Sequence, residues 1–197
     1  VLIGGSTGSG KTEIIKMLSQ QGVQSVDLEA IAHHKGSAFG AINEKRQNPQ
    51  QVFEHELFDA FTSNDDTKLI VLEDESQTIG FNKIPHPLWL QMKQATIIKI
   101  DIPFELRVQK LVDDYTTVDV ASLKECVLKI SERLGSDNTK LCLQSLSDGN
   151  LHEVARRSLL YYDKAYKNLY SKKNQAIVEI ESDTIDAAIN AQKVKQI

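Results

Sequence analysis

The segment Gly5-Ser6-Thr7-Gly8-Ser9-Gly10-Lys11-Thr12 sets glycines, a lysine and a hydroxyl at the spacing GxxxxGK[ST]. Those residue types at that spacing can hold a phosphate. Glycines let the backbone fold back so that successive N–H groups point at one anion. A helix starting at Lys11 adds its partial positive end, and the lysine adds a full charge. Thr12 offers a hydroxyl oxygen to a magnesium ion. Gly8, Ser9, Gly10, Lys11 and Thr12 are therefore the candidate phosphate ligands, with Lys11 also a candidate catalytic charge.

A second group stands at Glu73-Asp74-Glu75, directly after the apolar run Leu69 to Leu72. Carboxylates at the carboxyl end of a buried strand can hold magnesium through water or orient a nucleophile. Asp74 and Glu75 are the candidates, and Thr12 with Asp74 forms the candidate magnesium pair. The competing reading is a solvated acidic loop.

These groups work only if strands and helices place them together. Val1 to Gly4 reads as a strand, and Ile14, Ile15 and Leu18 give helical spacing over Lys11 to Gln21, closed by Gly22. Val23 to Leu28 reads as a second strand and Glu29 to Pro49 as a long polar loop, of a length that usually carries function. A helix over Gln50 to Thr62 leads to a buried strand at Lys68 to Glu73. Pro85 and Pro87 precede a short helix at Leu88 to Lys93, a strand follows at Ala95 to Asp101, and Pro103 opens another helix. Asp119 to Lys173 is almost wholly helical, with breaks near Gly135 and Gly149. A last strand at Ala176 to Ile180 precedes a helix that Asp183 can cap. Five strands alternating with helices predict an α/β fold: a parallel five-stranded sheet of the P-loop NTPase or kinase-like type. Residues 1–197 then form one domain, with a helical insertion at about 104–173 before the last strand.

Composition narrows the function classes. The chain has 197 residues, 41% hydrophobic and 25% charged, which excludes disorder and fibrous repeats. No apolar run approaches the roughly 20 residues needed to cross a bilayer. A net charge of −4 argues against a surface coated with nucleic acid and leaves room only for a local patch. Cys126 and Cys142 lack CxxC spacing and histidine neighbours, so they read as buried thiols in a reducing cytoplasm. No zinc, haem or flavin is expected. The text Asn82-Lys83-Ile84-Pro85 lacks the aspartate of a guanine-reading NKxD motif. Val1 falls inside a strand, so the chain is expected to be a fragment of a longer one.

Further motifs bring a family into view. Asp27-Leu-Glu29-Ala-Ile-Ala-His33-His34-Lys35-Gly36-Ser37-Ala-Phe39-Gly40, Glu73-Asp74-Glu75-Ser76-Gln77-Thr78-Ile79-Gly80, Arg133-Leu134-Gly135 and Tyr161-Tyr162-Asp163-Lys164-Ala165-Tyr166 follow the phosphate loop in order. Together they resemble the C-terminal P-loop domain of the tRNA 2-selenouridine synthases. Lys35 and Gln77 stand where that family usually has arginines. The resemblance implies transfer of a geranyl group from geranyl diphosphate to the sulfur of a wobble 2-thiouridine, then displacement of the S-geranyl group using selenophosphate. It implies tRNA, bound by its anticodon arm, as partner, possible use of Mg2+, and a rhodanese-like domain of the same protein absent from this chain. Selenation is not expected from this chain alone. The rival readings are a small-molecule or nucleotide kinase or NTPase, and a non-catalytic phosphate- and tRNA-binding module.

Secondary candidates complete the expected site. His34 is the catalytic candidate of the loop, and Lys35, Gly36, Ser37, Phe39 and Gly40 form its substrate segment. Arg107 and Arg133 are expected on phosphate. Arg156, Arg157, Tyr161, Lys164 and Lys167 are expected on tRNA, in a basic stretch rich in tyrosine. Tyr162, Tyr166 and Tyr170 recur every four residues and read as a core stripe. Phe39, Phe81, Leu88 and Trp89 are apolar enough to line a geranyl channel.

Overall fold

The computed structural model of the chain describes residues 1–42 and 44–197. The first strand, β1 (Leu2–Gly4), runs through the phosphate loop into α1 (Lys11–Gln20). Then come β2 (Ser25–Val26), α2 (Leu28–Ala32), α3 (Gln50–Thr62), β3 (Val71–Glu73), β4 (Thr78–Ile79), β5 (Asn82–Lys83), α4 (His86–Met92) and β6 (Ile97–Asp101). Helices α5 (Phe104–Tyr115), α6 (Val120–Lys129), α7 (Ser131–Leu134), α8 (Ser136–Ser147) and α9 (Leu151–Tyr170) intervene before β7 (Ile177–Glu181) and α10 (Ala187–Val194).

The main sheet is five-stranded, in the order β2-β3-β1-β6-β7, and every pairing in it is parallel. A separate antiparallel pair, β4 and β5, folds as a small hairpin after β3. Leu2 lies opposite Leu72 on one side and Ile97 on the other, which puts β1 and its loop at the centre. Strand alternation splits the core in two. Leu2, Leu72 and Ile97 pack with Phe53 and Leu57 of α3, whereas Ile3, Val71 and Ile98 pack with Ile14, Ile15 and Leu18 of α1 and Val194 of α10. Helices on both faces of a parallel sheet are what its continuous apolar strands require.

The helices between β6 and β7 carry a core of their own, formed by Leu123, Val127, Cys142, Leu146 and Val154 together with Phe39 and Ile42. Both cysteines are buried and unpaired within it. The region at residues 33–42 is therefore pinned beneath the insertion instead of hanging free. Among the described residues, no helix is long and apolar enough to cross a membrane.

Several expected boundaries shift for local reasons. The second strand is only Ser25–Val26, because the Asp27 carboxylate accepts the Ala30 amide at 2.8 Å and starts α2 within the expected loop. The last helix is capped by Asp186, which accepts from Ala188 and Ile189, and not by Asp183. Gly135 and Gly149 do break the helical stretch, each with positive φ.

Candidate functional site

The phosphate loop connects the central strand to α1. Gly8 and Gly10 adopt φ of 80° and 79°, conformations that other residues rarely hold, and a Cβ on Gly8 would fall 3.2 Å from the Arg107 carbonyl oxygen. Lys11 Nζ donates to the Gly5 carbonyl at 3.0 Å, folding back across the loop. Thr12 Oγ1 donates to Glu29 Oε2 at 2.7 Å, and the Glu29 amide donates to Glu73 Oε2 at 3.1 Å. Lys11 and Thr12 thus open onto a cavity of about 320 Å3 that Glu29, Ser37, Glu75 and Tyr166 help to line.

Charge in this cavity is tightly coupled. Burial alone would lower the Lys11 pKa, yet Tyr166, Glu75, Glu29 and Glu73 together hold it above the ordinary lysine value. Desolvation, reinforced by Glu29, pushes Glu75 up to about 7, against the opposing pull of Lys11. Glu73, with no exposed surface, is driven well above the ordinary carboxylate range by burial and by Glu29 and Asp27. Its Oε1 has no hydrogen-bond partner among the described residues. A carboxyl that holds its proton near neutrality can donate or accept one during a reaction.

Alternation along β3 and its exit sorts the acidic triplet. Glu75 faces the cavity, while Asp74 is on the opposite side, ion-paired with Lys173 and accepting from the Tyr170 hydroxyl at 3.0 Å. The expected Thr12–Asp74 magnesium pair is therefore not brought together; the carboxylate beside Thr12 is Glu29. Among the described residues, no group of three or more histidine, cysteine, aspartate or glutamate side chains is placed to hold a metal. Thr12 and Glu29 are the residues whose oxygens suit a hard cation next to a bound phosphate.

The segment after α2 supplies the facing wall. Lys35, Gly36 and Ser37 line the phosphate cavity; Gly36 holds φ of 67°, a conformation that favours glycine, and a Cβ there would displace the Glu75 carboxylate 2.7 Å away. His34 is turned into the segment itself, where its Nδ1 accepts the Gly36 amide at 3.1 Å and its ring packs on Gly40. It shapes the wall and does not line the cavity. Phe39 continues into a narrow apolar pocket with Leu123, Leu151, Val154 and Ala155. That pocket shares Thr7, Ser37, Leu111, Tyr115 and Tyr162 with the phosphate cavity, so the two lie side by side with those residues between them. Phe81, Leu88 and Trp89 lie elsewhere: Phe81 is exposed, and Leu88 and Trp89 pack on the core beneath α4.

The expected arginines take other roles. Arg107 makes a two-pronged pair with Asp163 at 2.8 Å for each contact, and donates from Nε to the Ile102 carbonyl and from Nη1 to the Thr7 carbonyl. It braces the loop from behind. Arg133 turns to the Tyr161 hydroxyl. Arg156 pairs with Glu105 and Arg157 with Glu153 and Asn138, Tyr161 packs against Tyr162, and Lys164 and Lys167 are exposed. Of the five residues expected on tRNA, Arg156, Lys164 and Lys167 keep exposed surface along α9, while Arg157 and Tyr161 are half-buried.

The tyrosine stripe of α9, read from the sequence as a core stripe, packs on the core through Tyr162 and Tyr170 and also reaches the site. Tyr162 accepts the Ala38 amide at 3.3 Å, the Tyr166 ring lies 5.8 Å from Lys11 Nζ, and the Tyr170 hydroxyl accepts the Gly5 amide at 3.1 Å. One helix face therefore touches the substrate segment, the lysine and the start of the phosphate loop in turn. The four-residue spacing was the available signal, but periodicity says only that a face is buried, not against what.

The crystal structure of TT1252 from Thermus thermophilus is similar at a TM-score of 0.46 and 13% identity, covering 98% of this chain and 94% of that one. The family described as the tRNA 2-selenouridine synthase AAA domain matches residues 1–196. With a phosphate loop in place at the centre of an all-parallel sheet and the match running nearly end to end, the chain belongs to the tRNA 2-selenouridine synthase family.

Proposed function

We propose that this domain binds geranyl diphosphate and transfers its geranyl group to the sulfur of a tRNA 2-thiouridine, with selenophosphate using the same anion cradle in the following exchange. The apolar pocket set directly against the polar cavity carries this reading. A nucleoside triphosphate offers polar groups beyond its phosphates, whereas a prenyl diphosphate is a multiply charged head on a hydrocarbon tail. Lys11 and the loop amides suit the head; the apolar pocket at Phe39, Leu123 and Val154, about 40 Å3 as it stands, widens between the insertion helices to take the tail, whose burial is favourable at about 25 cal/mol per Å2.

In the transfer, the C1–O bond of geranyl diphosphate breaks as the S–C1 bond forms, and the diphosphate leaves with the bonding electrons. Lys11 and the loop amides stabilise that departing charge. The 2-thiouridine ring gives up its N3 proton when sulfur is alkylated, and Glu75, poised at about 7 on the cavity wall, receives it. Bound Mg2+ would lie against Thr12 and Glu29 and add positive charge at the diphosphate. Tyr162 and Tyr166 close the side under α9 and keep water from the allylic carbon.

Calorimetry comparing geranyl diphosphate with ATP and GTP tests the reading. Preference for the prenyl diphosphate is expected. Preference for a nucleotide would overturn it in favour of a kinase or NTPase.

A further inference from the structure

A second pocket, of about 300 Å3, lies between α4 and the turn that follows α9. Trp89 contributes an aromatic wall, Lys93 and Lys172 are exposed at its rim, and Asn174 presents an exposed carboxamide. Lys173 is neutralised by Asp74, while Lys93 and Lys172 enter no ion pair among the described residues. The pocket is therefore a local positive site on an acidic chain of net charge −4.

We infer that this pocket binds an unpaired nucleotide of RNA. A planar indole gives a base a stacking surface, two free ammonium groups match the phosphates on either side, and a carboxamide supplies both a donor and an acceptor for a base edge. This is a different surface from the outer face of α9, where Arg156 and Arg157 are already engaged by carboxylates. It also adjoins the phosphate site through one residue: Asp74 walls the nucleotide pocket, and the same Asp74 holds the Tyr170 hydroxyl that accepts from Gly5. The inference does not depend on which diphosphate the main cavity takes.

Trp89 is the sole tryptophan, so its emission reports on this pocket alone. A single-stranded hexaribonucleotide titrated into the chain is expected to quench that emission saturably. The Lys93→Ala/Lys172→Ala variant, altered only at exposed positions, is expected to bind about tenfold more weakly, with the salt dependence shallower by roughly 0.7 per lysine removed. Filter binding of the same oligonucleotide runs in parallel. Retention on the filter without quenching would place RNA elsewhere and overturn the inference, as would no binding by either measure. Equal quenching by heparin would reduce the pocket to a general polyanion site and overturn it too.

Discussion

The Gly5 amide, the first donor of the phosphate loop, gives its hydrogen bond to the Tyr170 hydroxyl, a partner 165 residues away. Tyr170 in turn donates to Asp74, so a single phenol joins the loop, the end of β3 and the end of α9. Burial and Asp74 push its pKa far up, and it stays a phenol at any working pH. Tyr170→Phe leaves the Gly5 amide without this acceptor and is expected to cost about 1 to 2 kcal/mol in denaturant unfolding. Pyrophosphate affinity measured by calorimetry should fall with it.

Lys11→Ala should reduce geranyl diphosphate binding by about 100-fold or more, as expected for loss of the main cation facing a diphosphate. The thermal transition should persist, because the one hydrogen bond Lys11 makes among the described residues is to the Gly5 carbonyl, and its side chain belongs to no core cluster. Retained geranyl transfer in the folded variant would remove the loop from the mechanism.

Glu75 gives a pH signature with an unusual sign. Its ordinary value is 4.5 and its value in the fold is about 7. Between those values the folded chain keeps a proton that the unfolded chain has released. The group's stabilising contribution is therefore complete below the lower value and lost as pH rises through the upper one. Glu75→Gln mimics the protonated form, so its melting temperature should exceed that of the native chain at pH 8, with the gap closing toward pH 5. Geranyl transfer should nevertheless fall, since the amide cannot receive a proton.

Arg107 and Asp163 form a brace whose arginine side chain is only 7% exposed. Asp163→Asn preserves shape but leaves the guanidinium without its counter-charge, at an expected cost of about 3 kcal/mol in urea unfolding. The loop carbonyl of Thr7 shares that guanidinium, so weaker pyrophosphate binding should accompany the loss.

Val154→Phe intrudes on the apolar pocket without touching the phosphate cavity. Calorimetry should show geranyl diphosphate weakened by about tenfold or more and pyrophosphate unchanged, with an overpacking cost of about 1 to 3 kcal/mol in stability. Equal loss for both ligands would place the tail elsewhere.

The phosphate loop was readable because glycine stereochemistry and helix-start chemistry are local. The acidic triplet was readable as a group, yet Asp74 and Glu75 were not told apart, although alternation along a strand puts neighbours on opposite faces. Arg107 looked like a phosphate ligand because nothing near it in sequence announces Asp163, which lies 56 residues away and takes the guanidinium. The tyrosines' further contacts were hidden for the same reason: their partners, at Gly5, Lys11 and Ala38, are far earlier in the chain. Of the residues expected on a tail channel, only Phe39 lines the apolar pocket, because the rest of that pocket is supplied by the insertion, whose helices have ordinary apolar faces.

The reach from Gly5 to Tyr170 also orders events during synthesis. The loop leaves the ribosome among the first residues of this segment, but its clamp emerges only when α9 is complete, after nearly all of the sheet and its insertion. A nascent chain therefore carries the phosphate-binding residues long before it can set them, and a finished anion cradle marks a chain whose α9 has already docked.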